Sequence, residues 1–260
     1  MLVVSRMDAD LRSYLQQNHN QLSWKERIKI VVDIIDALLR IHKEDAIHRD
    51  LHSGNILYLQ EYNCWYISDL GFCGPANKPL GSIYGNLPYI APEVIAGKEY
   101  TKESDIYSVA MLMWEISSGQ QPFISYKHDY DLAMDIINGR RPKIVPGTPL
   151  KYKTLMEKCW NLDPSKRPDT HTLWNKIMEI NKMYHQDNNI NDSNHSSLSI
   201  NFNTDSSSMN LSSFNSKIYN TINLSDTNKA YHSIQNDLGI PENIASENNF
   251  EQDDLSVGKI

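Results

Sequence analysis

Hydrophobic and polar positions repeat with the period of a helix over a long segment near the start of the chain. In LSWKERIKIVVDIIDALLRIHKEDA, apolar residues recur every three or four positions from Ile28 to Ile41. Ser23 precedes the run, and Glu26 stands three residues after Ser23. This is the pattern of a capping box at a helix start. The apolar stripe is wide, so we expect a deeply packed helix.

Further elements are indicated by shorter patterns. The β-prone runs 2–5, 56–59 and 65–68 predict strands, the last two joined by a polar turn. Glycines and prolines interrupt residues 71–92, where no helical period is present, and this predicts a long surface loop. Four more helices are predicted, of which the first is apolar nearly all round and therefore buried: 105–117, 129–138, 150–160 and 170–183.

The chain changes character near His185. After it the sequence is mostly Asn, Ser, Asp and Thr, a composition that cannot bury enough apolar surface to offset chain entropy. We therefore expect a globular unit over residues 1–184 and a disordered tail over residues 185–260.

Composition narrows the classes of function. The 260 residues, 40% of them hydrophobic, suffice for one sizeable core. A net charge of −7 argues against nucleic acid or anionic membranes as primary partners. Cys64, Cys73 and Cys159 are odd in number and widely spaced, which predicts reduced thiols. No apolar run is long enough for a membrane span or a secretory signal, so we expect a cytoplasmic protein.

Candidate chemistry is concentrated in IHRDLHSGNIL, residues 47–57. Within eight residues it holds His48, Arg49, Asp50, His52 and Asn55, between two apolar flanks. Further short motifs follow in order, each weak by itself: Asp-Leu-Gly at 69–71, Ala-Pro-Glu at 91–93, Asp105, Cys-Trp at 159–160 and Arg-Pro at 167–168.

In this order and at these spacings the motifs resemble the C-terminal lobe of the eukaryotic protein kinases, closest to the tyrosine-kinase-like branch. The resemblance covers about residues 2–184 and implies an α+β protein-kinase-like fold, mainly an α-helical C-lobe. It implies a transferase that moves the γ-phosphate of ATP, with Mg²⁺, to a protein hydroxyl in signal transduction. The sequence contains no G-x-G-x-x-G and no Val-Ala-x-Lys, so we expect most of the β-rich N-lobe to be absent.

The resemblance also implies catalytic and nucleotide-binding roles. Asp50 would orient the substrate hydroxyl and accept its proton, while Asn55 and Asp69 would offer hard oxygens to Mg²⁺. Leu57 would pack beneath adenine. Without the resemblance, Asp50, Asn55 and Asp69 would be interpreted as turn-forming loop residues and Leu57 as an ordinary core leucine. Backbone groups of the hinge would contact adenine at Ser5 and Met7.

Other positions would have structural or regulatory roles by the same resemblance. His48 would pack in the interior, and Arg49 would pair with charge on a modified activation loop. Asp105 would anchor the catalytic-loop backbone. Glu93 and Arg167 match a buried ion pair. Candidate phosphorylation sites on the loop are Ser82 and Tyr84.

The acceptor class is less sharply indicated. His52 stands where serine/threonine kinases commonly carry Lys, and Asn86 stands where they commonly carry Thr. The Ala-Ala-Arg string of tyrosine kinases is missing too. DLHSGN resembles the tyrosine-kinase-like branch, which usually phosphorylates Ser/Thr, so Ser/Thr is favoured over Tyr. The expected partners are a protein substrate and a regulatory protein bound through the tail. One alternative is a catalytically incompetent kinase-like scaffold or binding module, and another is an unrelated helical adaptor.

Overall fold

The computed structural model describes residues 6–75 and 85–191, with side chains described up to residue 186. Within these residues the chain is mainly helical with a few short strands, which confirms the expected architecture. The strands are β1 (Ala9–Asp10), β2 (Ala46–Ile47), β3 (Ile56–Leu59), β4 (Cys64–Ile67) and β5 (Gly74–Pro75). The helices are α1 (Leu11–Asn18), α2 (Trp24–Lys43), α3 (Pro92–Ile95), α4 (Lys102–Ser118), α5 (Tyr130–Ile137), α6 (Leu150–Cys159) and α7 (Thr170–Asn191).

The long helix α2 begins as its sequence pattern predicts. The Ser23 hydroxyl accepts the backbone N–H of Glu26 at 3.3 Å, and the Glu26 carboxylate accepts the backbone N–H of Ser23 at 2.8 Å. These reciprocal bonds satisfy backbone donors that have no partner inside the helix. The apolar stripe from Ile28 to Ile41 is buried, so α2 lies in the core.

Helix α4 is the buried central helix that the sequence predicts, but it starts three residues earlier. Its side chains are buried without interruption from Ser104 to Ser117. Thr101 caps its start, because the Thr101 hydroxyl accepts the N–H of Ser104 and the Ser104 hydroxyl lies 3.1 Å from the N–H of Thr101. The predicted start was too late because the first turn of α4 consists of polar residues and therefore shows no apolar periodicity.

The strands form two small antiparallel sheets. In the first, β3 lies between β1 and β4, with Leu57 opposite both Asp10 and Tyr66. In the second, β2 pairs with β5. The strand predicted at 65–68 is β4 and lies one residue earlier, while the strand predicted at 2–5 falls outside the described residues.

The C-terminal helices α5, α6 and α7 complete the described part of the fold. Helices α5 and α6 lie within one residue of their predicted bounds, whereas α7 continues to Asn191, beyond the predicted end at residue 183. α7 begins at a cap in which Asp169 accepts the N–H of Thr172 at 2.6 Å, and it packs along α2. The three cysteines are free thiols. Over the part of the chain that the structure describes, no helix has the length and apolarity to cross a membrane.

Candidate active site

The loop that follows β2 is held by a buried aspartate of α4. Asp105 accepts the backbone N–H of His48 at 2.8 Å with Oδ2 and that of Arg49 at 2.9 Å with Oδ1. Arg49 has a φ of 73°, an unfavourable conformation for a residue with a side chain, and these two bonds help to hold it. The expected anchoring contact of Asp105 is therefore present.

His42 is a member of this anchor that the sequence analysis missed. Its ring lies in the core at the end of α2, with Nε2 2.8 Å from Asp105 Oδ2 and Nδ1 against the Thr170 hydroxyl at the start of α7. A histidine on the core stripe of a helix would have been the available signal. Through His42 and Asp105, the loop after β2 is connected to helices α2, α4 and α7.

His48 is fully buried, as expected of a structural histidine. Its Nε2 lies 3.0 Å from the carbonyl oxygen of Ser68, and its Nδ1 accepts the N–H of Asp50 at 3.3 Å. A carbonyl can only accept and an N–H can only donate, so these partners require the proton on Nε2. Both ring nitrogens are thus used in fixing the loop.

Asp50 and Asn55 are in direct contact. The Asn55 amide nitrogen donates to the Asp50 carbonyl oxygen at 2.9 Å and to its carboxylate Oδ2 at 3.3 Å. His52 Nε2 lies 3.7 Å from the same Oδ2, while His52 Nδ1 accepts the N–H of Gly54 at 3.1 Å. The Asp50 carboxylate is therefore oriented from two sides and remains partly exposed.

Asn55 and Asp69 are brought to neighbouring places by the pairing of β3 with β4. Ser68 donates its N–H and its hydroxyl to the Asn55 carbonyl, at 2.8 and 3.0 Å, and Asp69 follows with a φ of 57°. The Asp69 side chain is exposed. Because the Asn55 amide nitrogen is used on Asp50, its amide oxygen is the atom left for a cation.

Hard oxygen ligands suit Mg²⁺ better than a softer metal. Among the described residues there is no cluster of three or more His, Cys, Asp or Glu that could hold a metal alone. One amide oxygen and one exposed carboxylate nonetheless fit a Mg²⁺ that also takes phosphate oxygens and water, which is how Mg²⁺ usually binds with a nucleotide.

Arg49 contacts the strand that begins the long loop. Its Nη1 donates to the Phe72 carbonyl at 3.2 Å and its Nη2 to the Pro75 carbonyl at 2.9 Å. The guanidinium thus lies against β5, where the long loop begins. Ser82 and Tyr84, the candidate phosphorylation sites, lie outside the described residues.

The ion pair expected between Glu93 and Arg167 is present and buried. Two parallel bonds of 2.7 Å join the guanidinium to the two carboxylate oxygens. Arg167 also donates to the carbonyls of Asn161 and Glu103, at 2.9 Å each. Its face lies over the ring of Tyr107, 5.2 Å from the centroid. This arrangement joins α3, α4 and the segment before α7.

The expected nucleotide contacts are only partly described. Leu57 and Met7 are half-buried, and Leu57 lies on β3 between β1 and β4. Ser5 lies outside the described residues.

A second polar cluster beneath the loop was not found from the sequence. We call it the polar relay: Arg12 of α1, Ser53, Tyr89 and Glu115 of α4. Arg12 Nε donates to the Ser53 hydroxyl at 3.3 Å, which lies 3.3 Å from the Tyr89 hydroxyl. Tyr89 donates to Glu115 Oε2 at 2.6 Å. Its members are scattered in sequence, so only the fold reveals them.

The comparison with known proteins identifies the family of the chain. The family described as "Protein tyrosine and serine/threonine kinase" matches residues 1–177. The chain is 35% identical to "Dual serine/threonine and tyrosine protein kinase" of Danio rerio over 172 residues, 65% of this chain and 19% of that protein. It is 33% identical to "Probable serine/threonine-protein kinase roco5" of Dictyostelium discoideum over 184 residues, 65% of this chain and 6% of that protein.

The helical lobe, its anchored His-Arg-Asp loop and this family match define the class as a eukaryotic protein kinase. The chain belongs to the protein tyrosine and serine/threonine kinase family. It spans less than a fifth of the length of the curated relatives just described.

Proposed function

We propose that the chain carries the catalytic lobe of a protein kinase that transfers the γ-phosphate of ATP to a hydroxyl of a protein. The observation that carries this proposal is the contact between Asp50 and Asn55 on a loop whose backbone is bonded to Asp105. Phosphoryl transfer requires positioning and charge stabilisation above all, and a buried anchor beneath a partly exposed carboxylate provides positioning.

Each of the three catalytic candidates has a distinct part in this proposal. Asp50 orients the acceptor hydroxyl and takes its proton, and the Asn55 amide nitrogen holds its carboxylate in place. Asn55 and Asp69 supply oxygens to Mg²⁺, which would neutralise charge on the phosphates when bound. The nucleotide would lie over Leu57, with hinge contacts at Ser5 and Met7.

Ser/Thr acceptors are favoured over Tyr in this proposal. The segment DLHSGN supports this preference, because it resembles the tyrosine-kinase-like branch, which usually phosphorylates Ser/Thr. His52 of this segment lies near the Asp50 carboxylate, with Nε2 3.7 Å from Oδ2. A group with hydrogen-bonding capacity at this point can contact a transferring phosphoryl group, as the Lys of serine/threonine kinases would. The names of the two relatives include both serine/threonine and dual specificity.

We also propose that residues 1–184 form the kinase domain and residues 185–260 a separate tail that binds a regulatory protein. The family match to residue 177 supports the first part. The change in composition after His185 supports the second.

A non-catalytic binding module is the second candidate function. It is favoured by one observation, the lack of a Gly-rich loop and of a Val-Ala-x-Lys strand in these 260 residues. These are the parts that clamp the phosphates in a complete kinase. A module of this type would bind protein partners with the same helical lobe and would not turn over ATP.

Phosphate transfer from labelled ATP by the full chain separates the two candidates. With Mg²⁺ and peptides that offer Ser or Tyr, we expect transfer to Ser that Asp50→Asn abolishes. Asp36→Asn, which changes an exposed carboxylate on α2, serves as the control and should leave transfer intact. No transfer, and no thermal stabilisation by millimolar ATP and Mg²⁺, would contradict the kinase proposal and support the binding module.

A further inference from the structure

The hairpin formed by β3 and β4 carries the two proposed Mg²⁺ ligands at its open end. Asn55 comes directly before β3, and Asp69 follows the end of β4 by two residues. The place of one ligand relative to the other therefore depends on how the two strands pair. Each strand has only four residues, and a hairpin alone is marginally stable in water. Its position must be fixed by the element against which it packs.

Two side chains of the core helix α2 bind the other end of this hairpin. Lys29 Nζ donates to the carbonyl oxygen of Asn63, in the turn before β4, at 2.6 Å, and to Asp33 Oδ2 at 2.6 Å. The same Oδ2 accepts the backbone N–H of Trp65 at 3.1 Å. We call Lys29 and Asp33 the α2 clamp, because together they bond the helix to the turn and to β4.

The clamp covers the outer edge of β4. In the described sheet the strand order is β1, β3, β4, so β4 has a strand neighbour on one side only among the described residues. An N–H at such an edge needs another acceptor, and Asp33 is the acceptor for Trp65. The neighbouring turn is held as well, because Asn63 has a φ of 47° and its side-chain oxygen accepts the hydroxyl of Tyr58 at 3.0 Å.

Burial distinguishes the clamp from the other ion pair on the same helix. The side chain of Asp33 is 16% exposed, whereas that of Asp36, which pairs with Arg40 at the same spacing, is 41% exposed. Burial raises the pKa of Asp33, and the contacts with Lys29 and with the Trp65 N–H lower that pKa in part. Removal of the Asp33 carboxylate would leave a partly buried N–H without its acceptor, which costs more than the loss of a surface pair.

We propose that the α2 clamp positions Asn55 and Asp69 by fixing the β3–β4 hairpin on helix α2. Lys29 and Asp33 are positioning residues, since they bond to the hairpin backbone and not to the reacting atoms. The effect reaches the open end because Ser68, between β4 and Asp69, donates its N–H and its hydroxyl to the Asn55 carbonyl. This inference rests on the proposed kinase function and adds the residues that support its metal ligands from behind.

Mg²⁺ titrations of phosphate transfer by the full chain test the clamp. The variants are Asp33→Ala, Asp33→Asn and Lys29→Met. Asp33→Ala should raise the half-saturating Mg²⁺ concentration about tenfold, the equivalent of one hydrogen bond to a charged group. Asp33→Asn should remain within about threefold of the original chain, because its amide oxygen can still accept the Trp65 N–H. The KM for the acceptor peptide should change by less than about twofold in each variant.

A merely structural role would give a different result. It would lower kcat through the loss of folded molecules and leave the half-saturating Mg²⁺ concentration unchanged, and that outcome would overturn the proposal. Asp36→Ala, which removes an exposed carboxylate of the same helix, is the matched control and should change neither quantity. An equal rise in the control would also overturn the proposal. If Asp33→Ala fails to fold, Lys29→Met, which removes the bonds to Asn63 and Asp33, decides the test.

Amide hydrogen exchange at Asn55, Trp65 and Ser68 provides a readout that needs no turnover. All three amides should exchange faster in Asp33→Ala than in the original chain, while Asp36→Ala should leave them unchanged. If the original chain transfers no phosphate, the proposed function is refuted, yet faster exchange at Asn55 and Ser68 would still support the clamp. Unchanged exchange at these two amides would refute the clamp even in an active chain.

Discussion

At the scale of single residues, buried charged side chains hold the loop after β2 and join the helices around it. Asp105 accepts two loop N–H groups, and Glu93 forms a bidentate pair with Arg167. The pair has almost no access to water, so neither charge can be rehydrated when the other is removed. This distinguishes it from surface pairs such as Lys176 with Glu179.

Glu93→Gln should destabilise the fold by about 3–5 kcal/mol, because Arg167 would remain buried beside a neutral group. Urea unfolding measures the change in the free energy of unfolding. Glu179→Gln, the matched exposed change, should cost at most about 1 kcal/mol. A double replacement, Glu93→Leu with Arg167→Met, should cost less than the sum of its single changes. A loss from Glu93→Gln as small as that of the control would contradict the proposed importance of the pair.

The stability of the fold should depend on pH through Glu115. Its pKa is raised above the ordinary value of 4.5 by burial, so the folded chain holds the proton more tightly than the unfolded chain. That contribution is present at low pH and is lost as pH rises from the ordinary value through the raised pKa. The Glu115→Gln variant cannot lose it.

Unfolding of both proteins from pH 4.5 to neutral pH checks this expectation. The free energy of unfolding of Glu115→Gln, relative to that of the original chain, should become more favourable as pH rises. A difference that is constant with pH would show that Glu115 has the same pKa in the folded and unfolded chains.

At the scale of elements, the ends of α2 and α4 show which helix boundaries could be predicted from the sequence and which could not. Ser23 with Glu26 is a local signal, and α2 starts where it predicts. Thr101 with Ser104 is an equally local cap, but the polar first turn of α4 concealed it. α4 ends before Gly119, whose φ of 74° suits glycine. The His19 ring lies so close to Gly119 that a Cβ there would be 2.5 Å from it, and no local sequence pattern indicates this neighbour.

Gly119→Ala should destabilise the fold more than Gly139→Ala. Both glycines have positive φ, 74° and 96°, so each alanine should cost about 1–2 kcal/mol in backbone strain. Only at Gly119 would the new Cβ meet another group, the ring of His19 at 2.5 Å, which should add about 1–3 kcal/mol. Chemical denaturation measures both.

A second replacement separates the two costs at Gly119. His19→Ala combined with Gly119→Ala should recover the steric part and leave the backbone part. If Gly119→Ala and Gly139→Ala cost the same, the collision with His19 has no energetic weight.

At the scale of the whole molecule, α7 connects the C-terminal part of the described lobe to α2 in its core. They pack along each other, and His42 and Thr170 connect their ends. The core side of α7 includes the buried Ile177 and Ile180, which lie at or beyond the end of the family match at residue 177. A lobe that stops short of them would lose part of its core.

A chain of residues 1–191 should therefore unfold at the same temperature as the full chain. A chain of residues 1–176 lacks both isoleucines, each of which is worth about 1.5–3 kcal/mol when buried, and should unfold at a clearly lower temperature. Calorimetry of the three chains tests whether the folded lobe ends with α7. A fall in unfolding temperature for residues 1–191 would show that the tail contributes to the fold.

The sequence by itself determined the elements with strong periods and the family to which the chain belongs. Periodicity and caps are local, so α2, α5 and α6 could be placed within a residue or two, and the ordered motifs indicated the kinase family. Only the tertiary structure showed how His42 joins the anchor at Asp105, and how Arg12, Ser53, Tyr89 and Glu115 meet. Contacts between segments far apart depend on how helices pack, and no local pattern encodes them.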